Sequence, residues 1–589
     1  MVKDLTSLLT SFFSTESFKT PTVEPILHEN CILCECSLQD NSFYTRYRVC
    51  PQCRFHYGLN ARERINLIAD PNSFRESNQR VTSIVPITRD HSQPYNAALK
   101  QDQERTGLTE AAITGQCSIQ GFQAILVVLD FSFMGGTMSS VAGERIALAF
   151  EQGAKKKIPV IAVVTSGGSR IQEGMLSLLQ MAKTSASARL LHKKGIPFIS
   201  VLANPCTGQT FASFANLADI IIAEPKAIIG LAPTRIMQEA TPGKADISKI
   251  HSAEDHLANG MIDAIVDREF IRESLGSLIE LTMPEFVLTE AKTKTKTAKY
   301  IGQTTPEAWD TVQLARHEER PTTVDYIERI ISNFIELHGD RALSDDRNMI
   351  CGFGFLAGQS VCLIGQLGYR ENRSSGLVRP EGLRKAQRVM KLAERFRIPI
   401  ITFIDTSGAD PSLQSERHGI GSAIATTLSL MSELETRIVS VIIGEGGGEG
   451  ALSITISDNI LMMENAIYTP MSPEKAASVF YNNQGLAAEV AKTLKLTSTD
   501  AHHLGIIDTI VREPKGGAHL NHTEAAHRLD RELIKALSTL QKQSMRRLLR
   551  LRYKKFRNIG EYSSHFRLAV KKEVTNFKEY IKFIRSEKS

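Results

Sequence analysis

Two sets of residues in this chain of 589 residues have the types and spacing that chemistry requires. The first is Cys31-x2-Cys34 and Cys50-x2-Cys53, with fifteen residues between the pairs. Four thiolates so spaced close a tetrahedral shell around Zn²⁺, and a closed shell leaves no position for water or substrate, so such a site is structural. Pro51 and Arg54 suit the tight second knuckle, while Cys36 is a surplus thiol left outside the ligand set. Free thiols in a reducing compartment are the alternative that the paired spacing disfavours. The second set is four glycine-rich turns: FMGG (133–136), TSGGSR (165–170), PCTGQT (205–210) and GEGGGEGA (444–451). Each follows an apolar run and precedes a helix-like segment, which leaves bare backbone N–H groups near a helix N-terminus. Such groups hold an oxyanion, a thioester enolate for example, and glycine admits a planar thioester where a Cβ would block it. Candidate substrate contacts are Gly135, Gly136, Gly167, Gly168, Ser169 and Arg170 on these turns, with Gly408 on the later TSG turn (406–408).

Other chemistries find little support. No turn has the GxxxxGK[ST] spacing of a P-loop, and none is a GxGxxG with an acidic residue about twenty positions on. A GxSxG elbow is absent, and His56, His192, His251, His256, His338 and His418 are scattered, with no framed nucleophile beside them. The chemistry therefore rests on backbone donors and a cofactor, without an acid–base dyad.

The elements that must carry these turns repeat. KKIPVIAVVTSGG matches FRIPIITFIDTSG, with Pro159 opposite Pro399 and Gly168 opposite Gly408. The same offset sets Val201 against Val441, Glu224 against Glu464 and Pro233 against Pro473. Each unit reads as a near-continuous apolar strand, a Gly-rich turn and a helix, the pattern of strands covered on both faces. The expected class is α/β, with two similar domains in tandem behind a four-cysteine ribbon, and the cleft between them as the natural site. The expected organisation is an N-terminal segment (1–30), the ribbon (31–58), a first domain (59–288), a linker (289–303) around AKTKTKTAK, a second domain (304–540) and a basic helical tail (541–589). From Lys542 to Ser589 fifteen Lys/Arg face four Asp/Glu, so the tail carries +11 of a chain total of +6, and the rest carries about −5. The main body thus offers no nucleic-acid face. No apolar run is long enough to span a membrane, and the N-terminus lacks the unbroken apolar stretch of a signal peptide, so cytoplasm is expected.

At the level of whole motifs, DFSFMGGTMSSVAGERI (130–146), VTSGGSRIQEG (164–174) and FASFANLADIIIAEPKAIIG (211–230), behind the cysteine pairs, resemble the β subunit of bacterial-type acetyl-coenzyme A carboxylase. LARHEERPTTVDYI (314–327), PEGLRKAQRVMKLAERFRIPIITFIDTSGA (380–409), GEGGGEGAL (444–452) and REPKGGAH (512–519) resemble its α subunit. The resemblance runs from Cys31 to about residue 540 and implies a β–α fusion with a crotonase-like fold in each half. It implies an enzyme of fatty acid biosynthesis, part of an ATP-dependent holoenzyme, that moves a carboxyl group from carboxybiotin on a carrier protein to acetyl-coenzyme A, giving malonyl-coenzyme A. Structural zinc, biotin on the partner carrier and a coenzyme A thioester are the implied cofactors and substrate. Biotin carboxyl carrier protein, biotin carboxylase and a second copy of the chain are the implied partners. By resemblance Gly208 and Gln209 form one oxyanion hole, and Glu449, Gly450 and Ala451 the other. Both depart from the family's Gly-Gly at Gln209 and Glu449, and the usual HQKGRE is QLGYRE at 366–371. Those departures keep open a relative that decarboxylates or hydrolyses an acyl thioester without biotin; the weakest expectation, resting on the cysteine pairs and the basic tail, is a non-catalytic scaffold or nucleic-acid binder.

Overall fold

The computed structural model describes residues 27–81, 92–232, 237, 250–284, 286–288, 307–370 and 375–559. The linker 289–303, Pro233, most of the N-terminal segment and the tail beyond residue 559 lie outside the described residues. Apolar β-branched runs pair into two eight-stranded sheets. The first holds β1 (Arg75–Ser77), β2 (Ala112–Ile119), β3 (Phe122–Leu129), β4 (Val160–Ser166), β5 (Phe198–Thr207), β6 (Ile220–Ala223), β7 (Ile229–Gly230) and β8 (Ala264–Ile265). Its order is β1-β2-β3-β4-β5-β6-β8, with β7 also pairing β5. The second holds β9 (Ser332–Glu336), β10 (Met349–Leu356), β11 (Gln359–Gln366), β13 (Ile400–Thr406), β15 (Ile438–Gly447), β16 (Asn459–Met463), β17 (Ile467–Thr469) and β18 (Thr509–Val511). Its order is β9-β10-β11-β13-β15-β16-β18, with β17 on β15, and β12 (Leu377–Val378) pairs β14 (Gly408–Ala409) outside it.

The two sheets repeat one plan. Each opens with an antiparallel hairpin, β2–β3 or β10–β11, and continues in parallel. Every residue of β4 and of β13 is buried, which fits strands sandwiched between helices. Right-handed crossovers need a helix between parallel strands. Ser140–Lys156 supplies it in the first half, capped by Ser139 Oγ on Ala142 N (2.9 Å) and stopped by left-handed Lys157. Pro380–Phe396 supplies it in the second, with Pro380 in the first turn and left-handed Arg397 as the stop. Both sheets also carry the same irregularity: register shifts between Val164 and Ser166, and again between Ile404 and Thr406. Bulges of this kind re-aim the chain at a strand end, and here they precede the Gly-rich turns.

The halves are joined by apolar packing and buried charge. Ile271, Leu275 and Leu278 of the helix Ile271–Thr282 share one core with Cys351, Phe353, Val361 and Leu363. Asp263, fully buried, accepts from Ile221 N (2.7 Å) and Arg388 Nη2 (2.8 Å) and pairs with Arg341. Burial works against its charge, but Arg341 and Arg388 outweigh that and hold its carboxyl below the usual range. At the junction, where the site was expected, lies a space of about 280 Å³ beside His192, Asp219, Arg341 and Arg388, with none of the Gly-rich turns on it. The helix Met545–Arg557 is docked rather than free: buried Arg552 donates to Met431 O, Leu434 O and Thr436 O and pairs with Asp458 (2.8 Å). Among the described residues no helix is long and apolar enough to cross a membrane.

Candidate active site

The cysteine pairs converge as their spacing predicts. The Sγ atoms of Cys31, Cys34, Cys50 and Cys53 lie within 4.8 Å of one another, with Cys31–Cys53 at 3.5 Å and Cys34–Cys50 at 3.6 Å. A tetrahedron with Zn–S near 2.3 Å has S–S edges of about 3.8 Å, so the cluster fits the ion. Two equivalent knuckles build it. Cys31 N donates to Cys36 O and Cys50 N to Phe55 O, while Glu35 and Arg54 turn through left-handed φ. Cys36 thus stands where Phe55 stands in the second knuckle, although its Sγ lies 3.4 Å from Cys34 and Cys50. Buried Arg268 ties this lobe to the first sheet, donating to Tyr47 O and Tyr57 O while pairing with buried Glu224 (2.7 Å), which also takes Arg64 (3.0 Å).

In the first half the chain crowds three glycine segments together. A Cβ on Gly136 would sit 2.2 Å from Thr165 O, and one on Gly208 would sit 3.0 Å from Gly168 Cα, at φ +65°. Gly167 N donates to Gly135 O (2.8 Å), Met138 N to Gly168 O (2.7 Å), and Ser169 bridges Met138. The short helix Gly208–Phe211 then begins against Gly168, and its first-turn N–H groups, Gly208 and Gln209 included, have no intrahelical acceptor. Arg170 works from beneath: it is 1% exposed and spends its guanidinium on both Glu110 oxygens (2.7 and 2.9 Å) and on Thr137. It braces the turn and presents no free charge to a ligand. Glu110, which sequence reasoning passed over, is the residue that makes this possible.

An equivalent turn closes the second half. A Cβ on Gly450 would lie 2.5 Å from Gly408 C, so the helix Gly448–Leu452 starts hard against Gly408. Gly450 and Ala451 are buried, Glu449 is exposed at the turn, and Gln366 Nε2 fixes Gly450 O (2.8 Å). A hydroxyl two residues upstream receives the glycine N–H in both halves: Ser166 Oγ from Gly168 (3.0 Å) and Thr406 Oγ1 from Gly408 (3.1 Å). A cavity of about 470 Å³ opens beside this second turn, gathering Gly408, Glu449, Tyr369, Arg370, Asp405 and Lys475. Gly135, Gly136, Gly167, Gly168, Ser169, Gly208 and Gln209 gather on the other turn and not on this cavity.

Buried charge frames the cavity. Arg316 holds Glu445 (2.5 Å) and Glu474 (2.8 Å) on its wall. Behind it Arg320 and Glu513 form a fully buried pair (2.5 Å), and Arg320 Nε also donates to Ile443 O. Burial disfavours the Glu513 charge, yet Arg320 and Asn465 keep its carboxyl below the usual range. Asp405 differs: burial pushes it up to about 6, which Arg370 only partly offsets. Sequence reasoning missed all of these. The hydroxyl of each TSG turn was the one legible signal, a Ser or Thr placed to accept the glycine N–H.

Residues 279–560 match a family model described as acetyl co-enzyme A carboxylase carboxyltransferase-like. The acetyl-coenzyme A carboxylase carboxyl transferase subunits beta/alpha of Natranaerobius thermophilus is 38% identical over 564 residues, covering 92% of this chain and 93% of that relative. This chain belongs to that carboxyltransferase family. The equivalent protein of Clostridium tetani is 37% identical, covering 93% and 96% of the two chains. The family's separate alpha subunit from Staphylococcus haemolyticus is 44% identical over 283 residues, 47% of this chain and 89% of its own. As a member the chain is an enzyme that transfers carboxyl groups. In fold it is similar to the transcarboxylase 12S hexamer solved with methylmalonyl-coenzyme A (TM-score 0.65, 21% identity, 82% of this chain and 90% of the other). A single-chain, multi-domain long-chain acyl-CoA carboxylase is similar too (TM-score 0.63, 18% identity, 81% of this chain and 46% of the other).

Proposed function

We propose that this chain moves a carboxyl group from carboxybiotin, carried on a partner protein, to acetyl-coenzyme A. The observation that carries the reading is the pair of helix starts, at Gly208 and Gly448, each pressed against a glycine turn at the same place in a repeated sheet. In this reading residues 59–288 and 304–540 are tandem crotonase-like domains behind a zinc ribbon at 31–58. Gly208 and Gln209 N–H hold the thioester oxygen, and Glu449, Gly450 and Ala451 N–H hold an oxygen of the second ligand, because fixed donors stabilise charge as it develops without reorganising. Gly135, Gly136, Gly167, Gly168 and Ser169 shape the acyl site, Arg170 braces it, and Gly408 shapes the other. Gln209 and Glu449 keep their backbone donors, so the departures from Gly-Gly change the side of each hole and not its N–H groups. Carboxybiotin, when bound, supplies the activated carboxyl group. Assembly as a homodimer or larger is supported by apolar side chains left exposed at Ile171, Met175, Leu179, Val479 and Phe480. Biotin carboxylase and the biotin carrier are the remaining partners in this reading. Purified protein should convert malonyl-coenzyme A and biocytin to acetyl-coenzyme A and carboxybiocytin. Hydrolysis or decarboxylation of malonyl-coenzyme A that proceeds equally without biocytin would overturn the proposal.

A further inference from the structure

The helix Ser92–Thr106 packs against the glycine turns of the first half and is held there by few side chains. From Tyr95 onward only Tyr95 itself is buried, and Leu99 packs partly on the core. Polar contacts to two turns fix it. Tyr95 Oη donates to Glu173 Oε1 (2.8 Å), and Glu173 Oε2 accepts from Ser140 N (2.6 Å). Asp102 Oδ2 accepts from Met134 N (2.7 Å). Arg105 donates to Asp102 Oδ1 from Nε (3.0 Å) and Nη2 (2.7 Å), and Nη2 reaches Ser132 O as well. The FMGG turn needs such support. Met134 has φ +46° and is followed by Gly135 at +67° and Gly136 at +63°. Glycine enters that region freely, but a methionine there sets its Cβ against the following carbonyl. A charged acceptor on the Met134 N–H makes a stronger bond than a neutral one, and so offsets the strain.

We propose that Asp102 and Arg105 are positioning residues for the acyl site: from the helix Ser92–Thr106 they lock the left-handed turn Met134–Gly136, and with it the oxyanion donors of the first half. The relay is short. Gly135 O accepts from Gly167 N (2.8 Å), and Gly168 O accepts from Met138 N (2.7 Å), so the FMGG turn sets the TSGG turn. A Cβ on Gly208 would lie 3.0 Å from Gly168 Cα, so Gly168 in turn fixes where the helix Gly208–Phe211 begins. Both carboxylate oxygens of Asp102 are engaged, one by Arg105 and one by Met134 N, so it acts through the turn and not on a ligand. Arg170 and Glu110 brace these turns from the buried side; Asp102 and half-exposed Arg105 brace them from the solvent side. The inference rests on the carboxyltransferase reading, in which Gly208 and Gln209 N–H hold the thioester oxygen.

The test compares Asp102→Ala, Asp102→Asn and Arg105→Ala in the full chain, by amide hydrogen–deuterium exchange and by carboxyl transfer from malonyl-coenzyme A to biocytin. Asp102→Ala removes the acceptor of Met134 N, so the amides of residues 134–137 should exchange about ten-fold faster. Its kcat should fall about ten- to hundred-fold, the cost of displacing reacting groups by an ångström. Asp102→Asn keeps an oxygen for Met134 N and should restore most of both. Arg105→Ala should speed the same amides and lower kcat less than Asp102→Ala does. A merely structural role gives a different result, a lower melting temperature with wild-type kcat in the folded variant, and that result would overturn the inference. So would turn amides that exchange as in the wild type, or an Asn variant as impaired as the Ala variant. Should Asp102→Ala not fold, Arg105→Ala decides by the same two readouts, and wild-type values in both overturn the inference. Amide exchange needs no ligand, so it judges the turn apart from the chemistry. A wild type without carboxyl transfer refutes the carboxyltransferase reading, while an active enzyme indifferent to Asp102 refutes only the positioning role.

Discussion

Replacing Asp405 by Asn should stabilise the second half of this protein near neutral pH, because the native carboxylate is charged there at a cost. Burial pushes its pKa up to about 6 from 3.8, against the opposing pull of Arg370, the Glu445 N–H and Arg320. The folded state therefore prefers the protonated acid. Stability is full below the unfolded pKa, near pH 4, and is lost as pH rises through about 6. A shift of about two units corresponds to about 3 kcal/mol once both states are ionised. Asparagine has the shape of the neutral acid and removes the penalty. The chain's single tryptophan, Trp309, gives the assay. It lies in the helix Ala308–Ala315, packed with Ile467, Ala491 and Leu496, so its fluorescence follows the second half alone. Urea unfolding should place the variant midpoint about 1 M or more above wild type at pH 8, given slopes of about 1–3 kcal/mol/M. At pH 4 the midpoints should nearly coincide. A variant less stable at every pH would refute the reasoning, since it would make Asp405 and Arg370 a true ion pair whose attraction exceeds the desolvation cost.

Two further outcomes follow from buried groups elsewhere. Cys50→Ser should remove the metal, about one Zn²⁺ per chain by elemental analysis of the wild type, and loosen the ribbon while the sheets stay folded; full metal content in a folded variant would exclude Cys50 as a ligand. Glu224→Gln strands Arg64 and Arg268 in the interior and should cost about 3–5 kcal/mol, read as a lower melting temperature with faster amide exchange over residues 44–57. The repeat provides the control: Glu464, paired with exposed Arg512, should cost about 1 kcal/mol or less when changed to Gln, and equal losses would disprove the burial argument.

Local pattern alone determined a large part of this protein. The cysteine spacing specifies a cluster of four thiols, because cysteines three positions apart on a knuckle converge. The apolar runs repeated at one offset specify two equivalent sheets, because strand burial is written in side-chain type, and the long motifs between them identified the carboxyltransferase family. Helix ends were legible for the same reason, Ser139 and Pro380 being residues whose preferences act within a turn. Tertiary structure decided which charges do what. Arg170, legible as a candidate ligand contact, is consumed by Glu110 sixty residues away; Arg316 finds Glu445 across 129 positions, and Arg268 reaches Tyr47 O in the cysteine lobe across 221. It also placed the larger of the two cavities beside the glycine turn of the second half and not at the junction. Asp405 is the clearest case. In sequence it is one acid in an apolar strand, and its raised pKa arises only when the chain around Gly368 and Gly444 buries it, a cost that Arg370 only partly offsets. Desolvation and Coulomb interaction depend on distance in space, and chain order carries almost none of that information.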